Sequence, residues 1–301
     1  MSSNVVRKLD RASGERLRRA LEEAGFEVEP APHAHFAARG PGVHVTWFQS
    51  GKLLAQGKGA ADFASTYLEP GEAAEGGGGI VAAAREDTLT EPVIGSDESG
   101  KGDYFGPLVI AAVLVRPEDV PVLRTLGVRD SKEMGDAEAR RVAEEIETGY
   151  GDRVGVVAIP PARYNELRGQ FGNNLNRLLA WGHARAIEDV LEHHACGRAL
   201  SDKFGAESLI RNALLERGRG LVLEQRVRAE SHPAVAAASI VARARFLRDL
   251  ERLGRTCGEK LPKGAGPPVD AAARRLYRSG GLDALRDVAK LHFRTTDKIR
   301  S

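Results

Sequence analysis

The most informative stretch of the chain is residues 92–115, PVIGSDESGKGDYFGPLVIAAVLV. The apolar start of this stretch, residues 92–97, predicts a strand, and Gly100 and Gly102 predict a turn after it. The apolar run at residues 108–115 is short and rich in β-branched side chains, so a buried strand accounts for it better than a helix. The stretch therefore predicts two strands joined by a glycine-rich turn that carries acidic residues.

The chain after this stretch predicts strands and helices in alternation. Further strands are predicted at residues 154–159, 198–201 and 221–227, and helices at residues 174–194, 206–216 and 234–253. Strands followed by strands that alternate with helices are typical of an α/β fold. We therefore expect a mixed sheet flanked by helices.

The first 70 residues predict a small α+β unit. Residues 13–24 have apolar side chains at helical spacing, with Ser13 as the predicted N-cap and Gly25 as the stop. Short strands follow, with a hairpin turn at Ser50-Gly51, and residues 60–67 predict a second helix.

Composition also predicts how these parts are joined. Residues 71–90 include four consecutive glycines and predict a flexible linker. The predicted domains are therefore residues 1–70 and residues 91–301, the second ending in a basic segment. We expect the first to be a separately folded module on a tether.

Composition excludes several classes of protein. The chain has 301 residues, of which 42% are hydrophobic and 29% charged, which excludes collagen-like, coiled-coil and wholly disordered proteins. The longest apolar run, residues 108–115, is far shorter than the ~20 residues of a membrane span. The N-terminus has no apolar signal core, so we expect a cytoplasmic protein with no membrane partner. Cys196 and Cys257 have no CxxC spacing, which argues against a disulfide scaffold or a zinc ribbon.

Charge is unevenly distributed along the chain. The net charge is +2, but residues 86–251 carry −5 and residues 252–301 carry +7. An acidic centre and a basic tail are consistent with a protein that holds metal ions with one part and a polyanion with another. A solvated basic tail is equally consistent with the charge alone.

Residues 95–102, GSDESGKG, contain the candidate site. They are similar to the phosphate-binding pattern G-x-x-x-x-G-K-[ST], but Gly102 lacks the required hydroxyl, and Asp97 and Glu98 would repel a phosphate. These features argue against a P-loop nucleotide hydrolase. A bend after the strand could bring both carboxylates to one site, where their oxygens would suit Mg²⁺ or Mn²⁺. Standing alone, the pair would more often be an exposed acidic turn.

Several ordered blocks resemble the type 2 ribonucleases H, and specifically the ribonuclease HIII branch. They are DESGKGDYFGPLVIAA (97–112), DSK (130–132), NLNRLLAWGH (174–183), ALSDKF (199–204), ESHPAVAAASIVAR (230–243) and KLHF (290–293). The resemblance implies a ribonuclease H-like catalytic domain. It also implies an enzyme that hydrolyses the RNA strand of an RNA/DNA hybrid and leaves 3′-hydroxyl and 5′-phosphate ends.

The resemblance further implies a set of four carboxylates, Asp97, Glu98, Asp202 and Glu230. They would hold two divalent ions, Mg²⁺ or Mn²⁺, with Asp97 as the shared ligand. Gathered without metal, such carboxylates repel one another and raise one another's pKa. A non-catalytic nucleic-acid-binding protein would have no reason to keep the four together.

Substrate contacts are implied in the same way. Gly100, Lys101 and Gly102 would read the ribose 2′-hydroxyl, which distinguishes RNA from DNA. Lys132 would contact a phosphate or pair with an acid, and Ser131 stays unassigned. The DNA strand would lie on the basic tail, at Lys260, Lys263, Arg274, Arg275, Lys290 and Arg294. The expected partner is an RNA/DNA hybrid, and the expected oligomeric state is a monomer.

The N-terminal unit resembles, more loosely, the extension of ribonuclease HIII, whose fold is similar to that of the TATA-binding protein. This resemblance implies a grip on the hybrid through Lys52 and Lys58. Trp47 or Phe48 could stack on bases, although core packing is the favoured interpretation of both.

Four further residues carry weaker predictions. His193, His194 and Cys196 are interpreted as a surface cluster at a helix end, not as a soft-metal site. His232 lies two residues after Glu230 and could join the site, but capping the next helix is the favoured interpretation.

Overall fold

The computed structural model describes residues 3–68, 89–129, 131, 134–227 and 229–300. These residues form two five-stranded sheets, each with its own helices. The first sheet has the order β1-β5-β4-β3-β2 and all its described pairings are antiparallel. Its elements are β1 (Ser3–Lys8), α1 (Arg11–Glu23), β2 (Glu27–Glu29), β3 (Ala34–Gly40), β4 (Val43–Phe48), β5 (Lys52–Gly57) and α2 (Ala60–Tyr67).

Helix α1 begins two residues earlier than predicted. Its N-cap is Asp10, whose Oδ1 accepts a hydrogen bond of 2.7 Å from the backbone N–H of Ser13. The prediction that Ser13 caps the helix is therefore wrong. Both residue types can cap, and Asp10 occupies the position three residues ahead of a free N–H. The helix ends before Gly25, as predicted, and Gly25 has a φ of 79°.

The second sheet is mixed, as predicted. Its order is β10-β9-β6-β7-β8, so β6 is the central strand. Strand β6 pairs antiparallel with β7 and parallel with β9. The strands are β6 (Val93–Ser99), β7 (Leu108–Val115), β8 (Val154–Ile159), β9 (Arg198–Asp202) and β10 (Val222–Arg226).

Helices cover both faces of this sheet, which explains the uninterrupted apolar run of β7. Val109 and Val113 face a cluster that includes residues of α8, whereas Ile110 and Leu114 face residues of α6. A strand buried on both faces needs apolar side chains at every position. The helices are α3 (Val120–Leu126), α4 (Asp136–Tyr150), α5 (Pro161–Gln170), α6 (Leu175–His193), α7 (Glu207–Ala213), α8 (Pro233–Cys257), α9 (Pro267–Arg286) and α10 (Arg294–Arg300).

Two glycines and a run of small residues bring the helices close to the sheet. A Cβ added at Gly95 of β6 would lie 2.1 Å from the backbone carbon of Ala234 in α8, and one at Gly182 of α6 would lie 2.6 Å from Ile110. The small residues of α8 at 234–242 are mostly buried against the sheet, as predicted. This close packing fixes the start of α8 against Gly95 of the central strand.

The N-terminal unit has its own core but also packs on the second unit. Phe48 and Leu54 belong to the same buried cluster as Tyr150 of α4. In addition, Thr148 Oγ1 donates a 3.1 Å hydrogen bond to the carbonyl of Pro32. The N-terminal unit therefore has its own core, as expected of a separate module, and it contacts the second unit as well. The predicted linker, residues 71–90, lies outside the described residues except for its last two.

None of the helices in the described ranges is long and apolar enough to cross a membrane.

Candidate active site

The adjacent carboxylates Asp97 and Glu98 lie on opposite faces of β6. The sequence allowed a bend after Asp97, but the strand continues through Ser99 and the chain turns at Gly100, whose φ is 87°. Successive side chains of a strand alternate between faces. Asp97 accordingly faces α8, where it is hydrogen-bonded to Ser239, and Glu98 faces α6.

All four predicted carboxylates line one cavity of about 530 Å³ at this end of the sheet. Asp202 is the last residue of β9, the parallel neighbour of β6. Glu230 lies in the short 3-10 turn Ala229–Ser231 just before α8. Asp202 Oδ1 accepts a 3.2 Å hydrogen bond from the backbone N–H of Ala229 and thereby holds this turn against the strand. Four acidic groups from three elements therefore share one space.

Burial and like charge make this space unfavourable for carboxylates without a cation. Burial, and then the charge of Glu98, raise the pKa of Asp97 to about 6. The oxygen-only donor set is of the kind that Mg²⁺ and Mn²⁺ prefer, and a cation would offset the repulsion. The cavity residues therefore fit divalent ions in chemistry. In the described ranges, however, no three His, Cys, Asp or Glu side chains are grouped closely enough to hold an ion.

Glu98 is held through both of its oxygens. His183 Nε2 lies 3.2 Å from Glu98 Oε2, and Lys101 Nζ lies 3.3 Å from Oε1. Burial acts to raise the pKa of Glu98, but the hydrogen bonds and charges of His183 and Lys101 outweigh it and leave that pKa below its ordinary value. Glu98 therefore ionises at lower pH than Asp97, and the two carboxylates differ in proton affinity.

The predicted substrate loop, Gly100, Lys101 and Gly102, also lines the cavity. A Cβ at Gly100 would lie 2.2 Å from the carbonyl oxygen of Pro107, so this position requires glycine, whereas Gly102 has open space around it. The Lys101 side chain is 40% exposed. The loop is thus open to a ligand beside the carboxylates. Lys132 lies outside the described residues.

Lys290 is not on the surface that the sequence predicted for the DNA strand. It is fully buried, and its Nζ donates hydrogen bonds to the carbonyl oxygens of Asp103 (2.8 Å), Phe105 (3.5 Å) and Gly106 (2.6 Å). Burial lowers the pKa of Lys290 to about 7, and the charge of Asp103 opposes this shift only in part. The prediction of a substrate contact is therefore wrong for Lys290. Its side chain instead stabilises the backbone just after the glycine loop through these hydrogen bonds.

The other cations of the predicted tail divide into two groups. Lys263 lines the cavity and pairs with Asp136 at 2.6 Å, and Arg275 pairs with Glu259 at 2.8 Å. The exposed side chains of the tail that the sequence named include Lys260, Arg274 and Arg294. The tail therefore offers some exposed positive charge, of which Lys263 lies at the cavity, although part of its charge is internally paired.

In the N-terminal unit, the four residues named from the sequence differ in exposure and in their contacts. Trp47 and Phe48 are buried in cores, at 1% and 0% exposure, as the favoured interpretation had it. Lys52 Nζ donates a 2.8 Å hydrogen bond to the carbonyl of Thr125 and lies 3.6 Å from Glu145, so it is engaged between the two units. Lys58 is exposed and remains available to a substrate.

Sequence reasoning missed several side chains around the carboxylates. His183 was quoted only as part of a motif, although it contacts Glu98 directly. The hydroxyls of Ser131 and Ser239 lie 2.8 Å apart beside Asp97. Arg243 lines the cavity, donates to the carbonyl of Ser131 and pairs with Asp136 at 2.7 Å. A polar residue on the inner face of an otherwise apolar helix is the signal that could have identified His183 and Ser239.

The weaker histidine predictions have clear outcomes. His232 Nδ1 accepts a 3.3 Å hydrogen bond from the backbone N–H of Ala234, so its predicted role as the N-cap of α8 is confirmed. His194, at the C-terminal end of α6, pairs with Asp152 at 2.8 Å. Cys196 donates to backbone carbonyls of Pro92 and Arg198.

Comparisons with known proteins match both units of the chain. The Ribonuclease HII family model matches residues 94–296, and a family described as Domain of unknown function (DUF3378) matches residues 4–76. Ribonuclease HIII of Protochlamydia amoebophila is 40% identical over 98% of this chain and 96% of its own. Ribonuclease HIII of Chlamydia felis is 38% identical over 99% and 98%.

Among solved structures, the crystal structure of Bst-RNase HIII in complex with Mn²⁺ is similar, with a TM-score of 0.64 and 32% identity. The alignment covers 99% of this chain and 98% of that chain. Family models and relatives thus agree over both units of the fold, and the cavity lies within the region matched by the Ribonuclease HII model. The chain belongs to the ribonuclease HIII family, and it is an endoribonuclease of the ribonuclease H type.

Proposed function

We propose that the enzyme hydrolyses the RNA strand of RNA/DNA hybrids with two divalent ions, Mg²⁺ or Mn²⁺, and leaves 3′-hydroxyl and 5′-phosphate ends. The observation that carries the proposal is the cavity itself. Four carboxylates from three elements reach it, namely Asp97, Glu98, Asp202 and Glu230, and the glycine–lysine loop opens beside them. The Mn²⁺ complex of the similar Bst-RNase HIII supports a role for divalent ions.

In this proposal each carboxylate contributes oxygen ligands from a fixed backbone position. Bound ions would activate a water molecule and stabilise the leaving 3′ oxygen of an in-line displacement. Asp97, near the end of the central strand, would be the ligand shared between the two ions. The strand ends of β6 and β9 and the turn before α8 hold the four side chains around one point of attack.

Recognition of the RNA strand is assigned to the glycine loop. Gly102 has open space around it, so the backbone of Gly100–Gly102 can approach a ribose closely. A 2′-hydroxyl contacted there distinguishes RNA from DNA. Lys101 adds positive charge next to the cavity, and Lys132 is proposed as a phosphate contact. The exposed cations of the tail would hold the DNA strand through its phosphates.

The remaining parts of the proposal concern the whole protein. We assign the N-terminal unit, residues 1–70, to hybrid binding, residues 71–90 to a flexible linker and residues 91–301 to catalysis. The enzyme would act as a monomer in the cytoplasm, with the RNA/DNA hybrid as its partner and no membrane contact.

A labelled hybrid tests the proposed reaction. With Mg²⁺ or Mn²⁺ and a 5′-labelled RNA strand annealed to DNA, we expect internal cleavage of the RNA strand only. The 5′ fragments should resist 3′-phosphatase treatment, because they already end in 3′-hydroxyls. An RNA/RNA duplex of the same sequence is the matched control and should stay intact. Cleavage of the DNA strand, or fragments that end in 3′-phosphates, would contradict the proposal.

Deleting residues 1–85 tests the assignment of the N-terminal unit. We expect weaker hybrid binding with a shallower salt dependence. Each lost phosphate contact reduces the steepness of the plot of log binding constant against log salt concentration by about 1. Metal-dependent cleavage should persist at high enzyme concentration. The deletion also uncovers apolar surface on α4, which could lower stability. A second variant, Lys58→Ala in the full chain, avoids this problem and should reduce only the salt dependence of binding. An unchanged slope in both variants would rule out this assignment.

A further inference from the structure

An imidazole lies behind the acidic cavity, on the face of β6 that α6 covers. His183 has no exposed surface. Its Nδ1 lies 3.0 Å from Ser96 Oγ, and its Nε2 lies 3.2 Å from Glu98 Oε2. Because the ring is buried, it cannot touch a substrate. Any influence on the reaction must pass through Glu98.

The hydrogen-bonding partners fix the direction of each bond. An ionised carboxylate only accepts hydrogen bonds, so the Nε2 atom of His183 must carry the hydrogen that faces Glu98. Nδ1 of the neutral ring is then an acceptor, and the buried hydroxyl of Ser96 can donate to it. Both ring nitrogens are therefore satisfied in a neutral imidazole. The contact requires no buried positive charge.

The ring itself is held in place by packing. Phe204, two residues after Asp202, stacks on His183 with ring centroids 4.8 Å apart and an interplanar angle of 17°. Lys101 Nζ contacts the other oxygen of Glu98 and lies 6.0 Å from the centroid of the Phe204 ring. Each oxygen of Glu98 therefore has one partner, His183 or Lys101. Of the two, the buried His183 is the more rigid.

We infer that His183 is a positioning residue, which holds the carboxylate of Glu98 in the orientation that binds a divalent cation. This inference rests on the proposed function, because it concerns the same four carboxylates. An unrestrained glutamate side chain samples several rotamers, and a bond from a packed imidazole selects one of them. Residues that orient metal ligands in this way typically change metal affinity or activity by about 10–100-fold when replaced.

Two substitutions at His183 separate positioning from packing. His183→Phe keeps an aromatic ring against Phe204 but removes the donor, whereas His183→Gln keeps an amide donor. With Mn²⁺ as the probe and no substrate present, isothermal titration of His183→Phe should give a Kd about 10–100-fold weaker than that of the unmodified enzyme. The kcat for a hybrid should fall by a similar factor with KM changed by less than about twofold. His183→Gln should recover part of both losses.

A core variant of the same helix controls for lost stability. Val190 is fully buried two turns further along α6, so Val190→Ala should lower Tm without affecting Mn²⁺ binding. The inference is overturned if His183→Phe binds Mn²⁺ as tightly as the unmodified enzyme, or if Val190→Ala weakens Mn²⁺ binding equally. Failure of the unmodified enzyme to bind Mn²⁺ at all would instead overturn the proposed function.

Discussion

Replacing Asp97 by asparagine is expected to abolish hydrolysis and, at the same time, to stabilise the metal-free protein. Because Asp97 is the proposed shared metal ligand, its loss should lower kcat by about a thousandfold or more. The gain in stability follows from burial, and then the charge of Glu98, which raise the pKa of Asp97 from 3.8 to about 6. Above about pH 6 the folded protein must hold Asp97 as a buried, charged carboxylate, which lowers the free energy of unfolding, and asparagine removes that charge.

The sign of the stability effect depends on pH. Because the pKa of Asp97 is raised by folding, its favourable contribution is present below about pH 4 and is lost as pH rises through about 6. At pH 7.5 the difference in free energy of unfolding is at most about 3 kcal/mol, from 1.36 kcal/mol per pKa unit. We therefore expect Asp97→Asn to raise Tm at pH 7.5 without metal and to change it little at pH 4.

Thermal denaturation and a cleavage assay on one preparation check both halves of this prediction. Asp283→Asn is the matched control, since its side chain is 89% exposed, and it should alter neither activity nor Tm. An Asp97→Asn protein with the rate of the unmodified enzyme would refute the assignment of Asp97. A lower Tm at pH 7.5 would contradict the account of its pKa.

Metal dependence should itself vary with pH. A chelator is expected to stop cleavage completely, and added Mg²⁺ or Mn²⁺ to restore it. Below pH 6 an ion must displace a proton from Asp97, whereas Glu98, with its lowered pKa, stays ionised to lower pH. Isothermal titration should therefore give a Kd for Mn²⁺ about tenfold weaker at pH 5 than at pH 7.5.

Asp97→Asn provides the control for this second prediction, because it has no proton to displace at that position. It should bind Mn²⁺ weakly at both pH values and lose most of the difference between them. Equal Mn²⁺ affinity of the unmodified enzyme at pH 5 and pH 7.5 would show that Asp97 does not take part in binding the ion.

The sheet and its acidic edge were predictable from the sequence because the signals there are local. A continuous apolar run at residues 108–115 predicts a strand buried on both faces, and β7 is that strand. The resemblance of the sequence motifs to the ribonuclease HIII family predicted that Asp202 and Glu230 lie at the same site as Asp97. The structure agrees to the extent that all of them line one cavity.

Long-range contacts were less predictable. Lys290 lies in a basic segment and is therefore predicted to be on the surface. Only the fold places it beneath the carbonyls of residues 103–106. Lys52 likewise has a polar sequence context, yet the packing of β5 near α4 engages it with Glu145. In both residues a long side chain finds partners far along the chain, which no local pattern encodes.

The end of strand β6 was predicted two residues too early, for a different reason. Strand propensity favours ending the strand at Asp97 because Asp, Glu and Ser are poor strand formers. Pairing with β7 extends β6 to Ser99, so tertiary hydrogen bonds override local preference. The result places Asp97 and Glu98 on opposite faces, and this gives each a different neighbour, Ser239 or His183.

The central claim is that four carboxylates bind two divalent ions together. Anomalous X-ray scattering from crystals of the enzyme with Mn²⁺ and a non-hydrolysable hybrid measures this directly. We expect two peaks about 4 Å apart, with oxygens of Asp97 near both and oxygens of Glu98, Asp202 and Glu230 each within about 2.6 Å of one. A single peak, or a carboxylate that remains far from both peaks, would contradict the account.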